Sequence, residues 1–361
     1  MEKNLQQTYQ QLLEAVSPEE VFGLPGELTA DETVKKVYRE LSRIVHPDKN
    51  GDNVDLAKDA FAQLGKLHAA ALKKIEKGTY GDLTSANGTE AEEFRFSTKK
   101  REYIVRSKIA EGDLSMVYSG EAVGMDGAEG KIVLKLINDE ADNDFALNEL
   151  RITSLLQAKL SPQSKHLPFC LDSFKDEHDR LGIVLRYFDG HDLMSLREMP
   201  LYKNGIAASD VAWMLERCLS ALGHLHNEGI VHGNVEPTHI LVRGPDHNVN
   251  LVDFSYAVLA GEDFLALNET YSPPEVAAKQ PPTPASDIYA LGKTMIFALG
   301  GEPATGHMPL SVPEKFQSFI RGMILPSQMQ RLQDAWKIHK DLRELRRAIW
   351  GRQPFVPFRT Q

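Results

Sequence analysis

One short segment forces this chain into two parts of different fold class. Residues 81–93 read GDLTSANGTEAEE, a small, polar, acidic run without apolar periodicity, which reads as a linker. Before it, Val34, Val37, Tyr38, Leu41, Ile44 and Val45 recur at helical spacing. Leu56, Ala60, Phe61, Leu64, Leu67, Ala71 and Ile75 repeat the pattern, so two amphipathic helices are expected over 30–45 and 56–75. After the linker the period shortens, and strands are expected over 103–110, 116–123 and 131–137. The chain therefore divides into a small helical unit at 1–80, a linker at 81–95 and a larger mixed unit at 96–361.

The two helices flank a polar break, HPDKNGDN, and Thr29 or Asp31 is placed to cap the first. The stretch KNLQQTYQQLLEAVS ahead of them reads as a packing extension. In the larger unit the turn GMDGAEG joins two strands, a helix is expected over 143–157, and a further strand over 183–188. Beyond Asp210 helical spacing dominates, broken by β-branched segments at 240–242 and 249–252.

Charge and cysteine usage narrow the partners. With 41 Lys and Arg against 51 Asp and Glu the net charge is −10, which makes nucleic acid an unlikely partner. Two cysteines, Cys170 and Cys218, are too few for a disulfide framework and suit a reducing compartment. The start, MEKNLQQTYQ, lacks the apolar run of a secretory signal. No apolar stretch reaches the roughly 18 residues of a membrane helix. A cytoplasmic protein without a membrane partner is expected.

His46, Pro47 and Asp48 lie in the polar break, and Lys35, Arg39 and Arg43 recur every four residues on the helix before it. That spacing makes one positive stripe suited to an acidic groove. Pro47 restricts the loop, and Asp48 offers a carboxylate to an arginine. From Pro18 to Gly78 the order EEVFGLP, TADETVKKVYRELSRIVHPDKN, AKDAFAQLGKLHAAAL resembles the J-domain of DnaJ-type co-chaperones. The resemblance implies that His46, Pro47, Asp48, Lys35, Arg39 and Arg43 engage a DnaK-type heat-shock ATPase and trigger its ATP hydrolysis.

From Phe96 onward a second pattern emerges. IAEGDLSMVYSG sets a glycine turn between strands, IVLKLI carries Lys135 and FALNELRITSLL carries Glu149. Then follow GIVLRYFDGHDL, LGHLHNEGIVHGNVEPTHILVR, LVDFSYA, YSPPE and SDIYALG. Together these segments resemble a eukaryotic-type protein kinase. The implied fold class is α plus α/β: a small helical J-domain, then a bilobal kinase-like fold with a β-rich first lobe and an α-rich second. The resemblance implies a nucleotide site of Gly112, Val117, Lys135, Glu149, Arg186, Tyr187 and Asp253. Leu185 would be the gatekeeper, and Arg186 and Tyr187 the hinge. ATP is the implied cofactor, with or without magnesium, the metal held weakly by Asp253. Because an unpaired buried lysine is costly, Lys135 and Glu149 are expected to pair with or without nucleotide.

The chemical positions depart from the family's pattern. Ala110 and Ser115 replace two of three loop glycines, leaving Gly112 and weakening the grip on phosphate. Matched to HRDLKPENIL from His232 to Leu241, the loop has Gly233 for arginine and Asn234 for the catalytic aspartate. Glu236 stands for the phosphate-contacting lysine and His239 for the metal-binding asparagine. An amide has no usable basicity near neutral pH. Glu236 brings negative charge where a transferring phosphoryl group needs positive, and imidazole is a poor ligand for magnesium. Asp253 and Phe254 are kept with Ser255 for glycine, and Glu275, Asp287 and Arg331 keep the bracing positions. Arg331 is expected to pair with Glu275.

The HGN loop is similar to that of Janus-kinase pseudokinase domains. The main expectation is a co-chaperone whose kinase-like domain transfers no phosphate and binds an unidentified protein client, a regulator or a nucleotide. Two alternatives stand beside it: an active Ser/Thr kinase brought to chaperone complexes by its J-domain, and an assembly scaffold with neither activity. His224, His226 and His232 lack metal-ligand spacing and are expected to be structural. The basic C-terminal stretch from Arg331 reads as the solvated face of a last helix.

Overall fold

The computed structural model describes residues 4–15, 18–24, 29–76, 80, 94–124, 130–265, 267–352 and 354–360. The expected linker at 81–93 lies outside the described residues, as does most of the turn GMDGAEG. Four helices lead: α1 (Leu5–Glu14), α2 (Pro18–Phe22), α3 (Ala30–Val45) and α4 (Val54–Glu76). Short 3-10 turns at Pro47–Lys49 and Gly51–Asn53 separate the last two. Strands β1 (Phe94–Ser97), β2 (Glu102–Glu111), β3 (Ser115–Ala122) and β4 (Lys131–Ile137) precede α5 (Asn143–Gln157), β5 (Cys170–Lys175) and β6 (Leu181–Arg186). Next come β7 (His191–Asp192), α6 (Leu193–Glu198), α7 (Ala208–Asn227), β8 (Ile230–Val231), β9 (Ile240–Arg243), β10 (Asn248–Leu251) and β11 (Val258–Leu259). The chain ends on α8 (Pro274–Ala277), α9 (Pro284–Ala298), α10 (Glu314–Met323) and α11 (Ala335–Trp350).

These elements fall into two compact units. The first holds residues 1–143, 157–162 and 169–187, and the second 144–156, 163–168 and 188–361. In the first, Thr29 caps α3: its Oγ1 accepts from Glu32 N at 3.3 Å, and Glu32 Oε2 accepts from Thr29 N at 3.0 Å, a capping box. The expected packing extension is α1, whose Leu5, Tyr9 and Leu12 share a core with Val34, Leu41, Val45, Leu64 and Leu67. Lys74 of α4 and Glu19 of α2 form a buried ion pair at 3.0 Å.

The larger sheet of this unit runs β1-β2-β3-β4-β6-β5 with antiparallel neighbours. Several bounds shift by a residue or two, and two shifts have a visible cause. β1 starts at Phe94, inside the stretch read as linker, because Phe94 packs on Tyr118 and Phe96 stacks on Tyr103 and Phe174. The strand expected at 183–188 instead ends at Arg186, the last residue paired with β4.

The second unit is mainly helical, with α7 and α9 the largest contributors to a continuous apolar core. Among the described residues no helix is long and apolar enough to cross a membrane. Arg331, 3 % exposed, forks onto Glu275 with Nη1 to Oε1 at 2.6 Å and Nη2 to Oε2 at 3.0 Å, as expected. It also donates to Ala285 O and Leu325 O. His166 is buried, with Nδ1 2.9 Å from Val249 O, and burial pushes its pKa down to about 4.

Two outcomes follow from these buried groups. Arg331→Met leaves the Glu275 carboxylate buried without its partner, a loss of about 3 to 5 kcal/mol. Adding Glu275→Met should recover much of it in urea denaturation, and a double variant no more stable than Arg331→Met alone would show that the ion pair is not the cause. His166 adds acid sensitivity of defined sign. Its folded pKa lies below the unfolded value near 6.5, so its contribution is complete above pH 6.5 and is lost as pH falls toward 4. His166→Asn, which keeps an N–H for Val249 O, should lessen the stability lost between pH 6.5 and 5 by about 2 kcal/mol. An unchanged pH slope would contradict the buried neutral imidazole.

Candidate active site

The loop at 232–239 is held by one side chain of α9. Asp287, 1 % exposed, accepts from His232 N at 2.8 Å through Oδ2 and from Gly233 N at 2.9 Å through Oδ1. His226 Nε2 also stands 2.9 Å from Oδ2. His232 is fully buried against Phe254, with ring centroids 4.7 Å apart, and burial pushes its pKa down to about 4. Its Nε2 lies 3.1 Å from Val252 O, and its Nδ1 accepts from Asn234 N at 3.3 Å. These contacts select the neutral ring protonated on Nε2. No group of three His, Cys, Asp or Glu side chains placed to hold a metal occurs among the described residues.

The chemical positions of the loop come together around an imidazole. His239 Nδ1 donates to Asn234 O at 2.9 Å, while Nε2 lies 3.5 Å from Glu236 Oε1 and 3.5 Å from Asp253 Oδ2. Thr238 Oγ1 donates to Glu236 Oε1 at 2.7 Å, and Asn268 Nδ2 donates to its Oε2. The Glu236 carboxylate, expected to face a phosphoryl group, is thus tied to its own loop and to Asn268. Asn234 Oδ1 is buried without a hydrogen-bond partner among the described residues. It belongs to the lining of a shallow pocket shared with Asn268, Tyr271, Pro273, Ser286 and Asp287. Burial, with Glu236 nearby, pushes the Tyr271 hydroxyl up to about 12.

Asp253 takes φ +65°, a left-handed conformation uncommon outside glycine. Its Oδ1 accepts from Ser255 N at 3.2 Å, and its side chain remains 28 % exposed. Of the expected magnesium ligands it alone offers a carboxylate oxygen; His239 beside it offers nitrogen, a poor match for a hard cation. Glu149 is fully buried, its Oε1 accepting from Phe254 N at 3.3 Å and its Oε2 from Ser255 Oγ at 3.2 Å. Ser255, a departure from the family's glycine, therefore has a partner on α5. Asn148 Nδ2 adds donations to Ser255 O at 3.0 Å and Ala257 O at 2.8 Å.

The other expected nucleotide contacts belong to the first unit. Lys135 lies on β4, 6 % exposed, in register with Val117 of β3 and Ile183 of β6, whereas Glu149 belongs to the second unit. Gly112 donates to Ser115 O at 2.9 Å, and an added Cβ would meet that oxygen at an ordinary 3.8 Å. Within the chain itself, neither space nor φ demands glycine at 112. Arg186 N donates to Phe169 O at 2.9 Å and Tyr187 N to Lys131 O at 3.4 Å. The hinge amides expected to meet adenine are engaged within this unit.

The loop between α3 and α4 is stapled from within. His46 Nδ1 accepts from Asp48 N at 3.2 Å, and its ring stands edge-on to Phe61 at 5.6 Å. The Asp48 side chain is 88 % exposed. Lys35, Arg39 and Arg43 are exposed on α3, with Lys35 paired to Asp31 at 2.6 Å. Several asparagines had not stood out in the sequence: Asn50 donates to Ile44 O and His46 O, and Asn138 to Gly112 O and Asp113 O. Their signal was a lone asparagine beside a loop, the residue type that most readily bonds neighbouring backbone.

Residues 103–352 match the protein kinase domain family. The chain is 28 % identical over 199 residues to Serine/threonine-protein kinase B of Synechocystis, covering 48 % of this chain and 34 % of that protein. It is 28 % identical over 218 residues to Serine/threonine-protein kinase PknL of Mycobacterium tuberculosis, covering 58 % of this chain and 52 % of that protein. The chain thus spans about half or less of these relatives' length. The crystal structure of the Mycobacterium tuberculosis PknI kinase domain, a double mutant, shares the fold with a TM-score of 0.53 at 20 % identity, covering 67 % of this chain and 95 % of that one. Strands β3 to β6, the loop braced by Asp287 and the segment at Asp253 all fall inside the matched residues, and the chain belongs to the protein kinase family.

Proposed function

We propose that the kinase domain is a nucleotide-responsive binding and regulatory module without efficient phosphoryl transfer, and that the helices before it form a J-domain that stimulates a DnaK-type ATPase. The loop at 232–239 carries the first half. Asn234 presents an amide where phosphoryl transfer needs a proton acceptor. His239 stands 3.5 Å from both Glu236 and Asp253, in the place the resemblance gives to a metal-binding amide oxygen. Lys135, Glu149 and Asp253 support ATP binding, with a small magnesium contribution because Asp253 is the remaining carboxylate ligand. An unidentified protein client on the kinase domain completes this reading. The half-buried His46 and Pro47, the exposed Asp48 beside them and the cationic α3 face support the second half.

A second reading, an active Ser/Thr kinase carried to chaperone complexes by its J-domain, is favoured by the relatives, which are named Ser/Thr kinases. Radiolabelled ATP with a basic protein substrate separates the two, using Asp253→Ala as the blank. Wild type and Asn234→Asp should both match the blank, since proton transfer supplies only about two to four powers of ten and Glu236 and His239 remain. Asn234→Asp with Glu236→Lys and His239→Asn should exceed any single change. Wild-type labelling well above the blank would establish the second reading. The full chain should also accelerate a DnaK-type ATPase, and His46→Gln should abolish that effect with the helical circular dichroism unchanged. No acceleration by wild type would remove the J-domain assignment.

A further inference from the structure

The first compact unit contains both the leading helices and the sheet that carries Lys135. A short connection between α5 and β5 joins them. Leu160, 8 % exposed, belongs to the apolar core of the helices rather than to that of the sheet. Three residues earlier, Gln157 grips β5 from both sides: its Nε2 donates to Cys170 O at 3.1 Å and its Oε1 accepts from Cys170 N at 3.0 Å. Cys170 is in register with Leu185 on β6, and the neighbouring Phe169 O accepts from Arg186 N at 2.9 Å. The Arg186 guanidinium lies over the Phe169 ring, 4.9 Å from its centroid.

One further contact ties the helices to the sheet. Arg101, in the turn between β1 and β2, lies 3.0 Å from Glu20 of α2.

We propose that Leu160 and Gln157 are positioning residues through which the docked helices fix the gatekeeper strand β6. Leu160 anchors the connection in the helical core, Gln157 transmits that anchor to Cys170, and the pairing of β5 with β6 carries it to Leu185 and Arg186. A loosened helical core then frees β6 before it frees β3, whose strand neighbours are β2 and β4. The consequence for nucleotide rests on the reading of the kinase domain as an ATP binder: affinity at the hinge depends on helical docking, and a partner that alters docking alters affinity by the same factor.

Amide hydrogen exchange on the full chain tests the strut without requiring nucleotide. Leu160→Ser and Gln157→Ala should each raise exchange over Ile183 to Arg186 at least tenfold, with Tyr118 to Gly120 on β3 within twofold of wild type. Leu160→Met, which keeps the apolar anchor, should behave as wild type. Unchanged exchange on β6, or an equal rise on β3, would overturn the proposal by reducing both residues to general packing. ATP titration by calorimetry adds the functional arm. A fivefold or greater change in Kd in the two disruptive variants supports the coupling, and an unchanged Kd in a binding-competent wild type removes it. A wild type that binds no ATP defeats the nucleotide reading alone, while exchange still decides the strut.

Discussion

The backbone of the 232–239 loop depends on the buried carboxylate of Asp287. Each oxygen takes an N–H from one of two consecutive residues, His232 and Gly233, and His226 shares Oδ2. A carboxylate in that setting is tolerable only with such donors, and charge-assisted bonds of this kind are among the stronger a protein makes. The start of the loop is therefore fixed by a group other than the side chains at positions 234, 236 and 239. Scaffold and chemistry are separable here, which is how a kinase fold persists with an amide where a base is expected.

A second network fixes the segment after Asp253. Glu149 receives Phe254 N and Ser255 Oγ, while Asn148 donates to Ser255 O and Ala257 O. Successive residues of α5 thus hold both sides of Tyr256. The hydroxyl of Ser255 gives Glu149 a bond that glycine could not supply, so this departure from the family's pattern strengthens local order. His239 adds the same tendency in the loop, where its ring stands between Glu236 and Asp253. Contacts internal to the protein occupy positions that in the family serve nucleotide and metal.

Much of this arrangement was legible in the sequence because it rests on local pattern. The helix at 143–157, the helix at 30–45 and the strand at 131–137 follow directly from apolar periodicity, and their bounds coincide with α5, α3 and β4. The Arg331 pairing with Glu275 was legible through the resemblance, which implied both bracing positions, and a buried fork suits a carboxylate. What escaped was set by contacts distant in sequence. β1 begins earlier than composition suggested, since Phe94 gains Tyr118 as a neighbour only once the sheet forms. The orientation of the Glu236 carboxylate depends on Asn268, 32 residues away, and Glu149 as an acceptor for Ser255 spans 106 residues. Residue type predicted what each group can do; only the fold decided which neighbour it meets.

The glycine of the HGN loop shows how the two networks constrain one another. Gly233 has φ +77°, and a Cβ built there would fall 2.6 Å from Tyr256 O, well inside van der Waals contact. An arginine at 233 would need that carbonyl to retreat. Tyr256 lies between two residues whose carbonyls Asn148 holds, at 3.0 Å on one side and 2.8 Å on the other, so the retreat would strain bonds to α5. On the other side Asp287 pins Gly233 N at 2.9 Å. With both walls fixed by part-buried hydrogen bonds, glycine at 233 is a packing requirement of this backbone, and the family's arginine could return only with a coordinated shift of the loop, the Tyr256 peptide and the turn of α5 that carries Asn148.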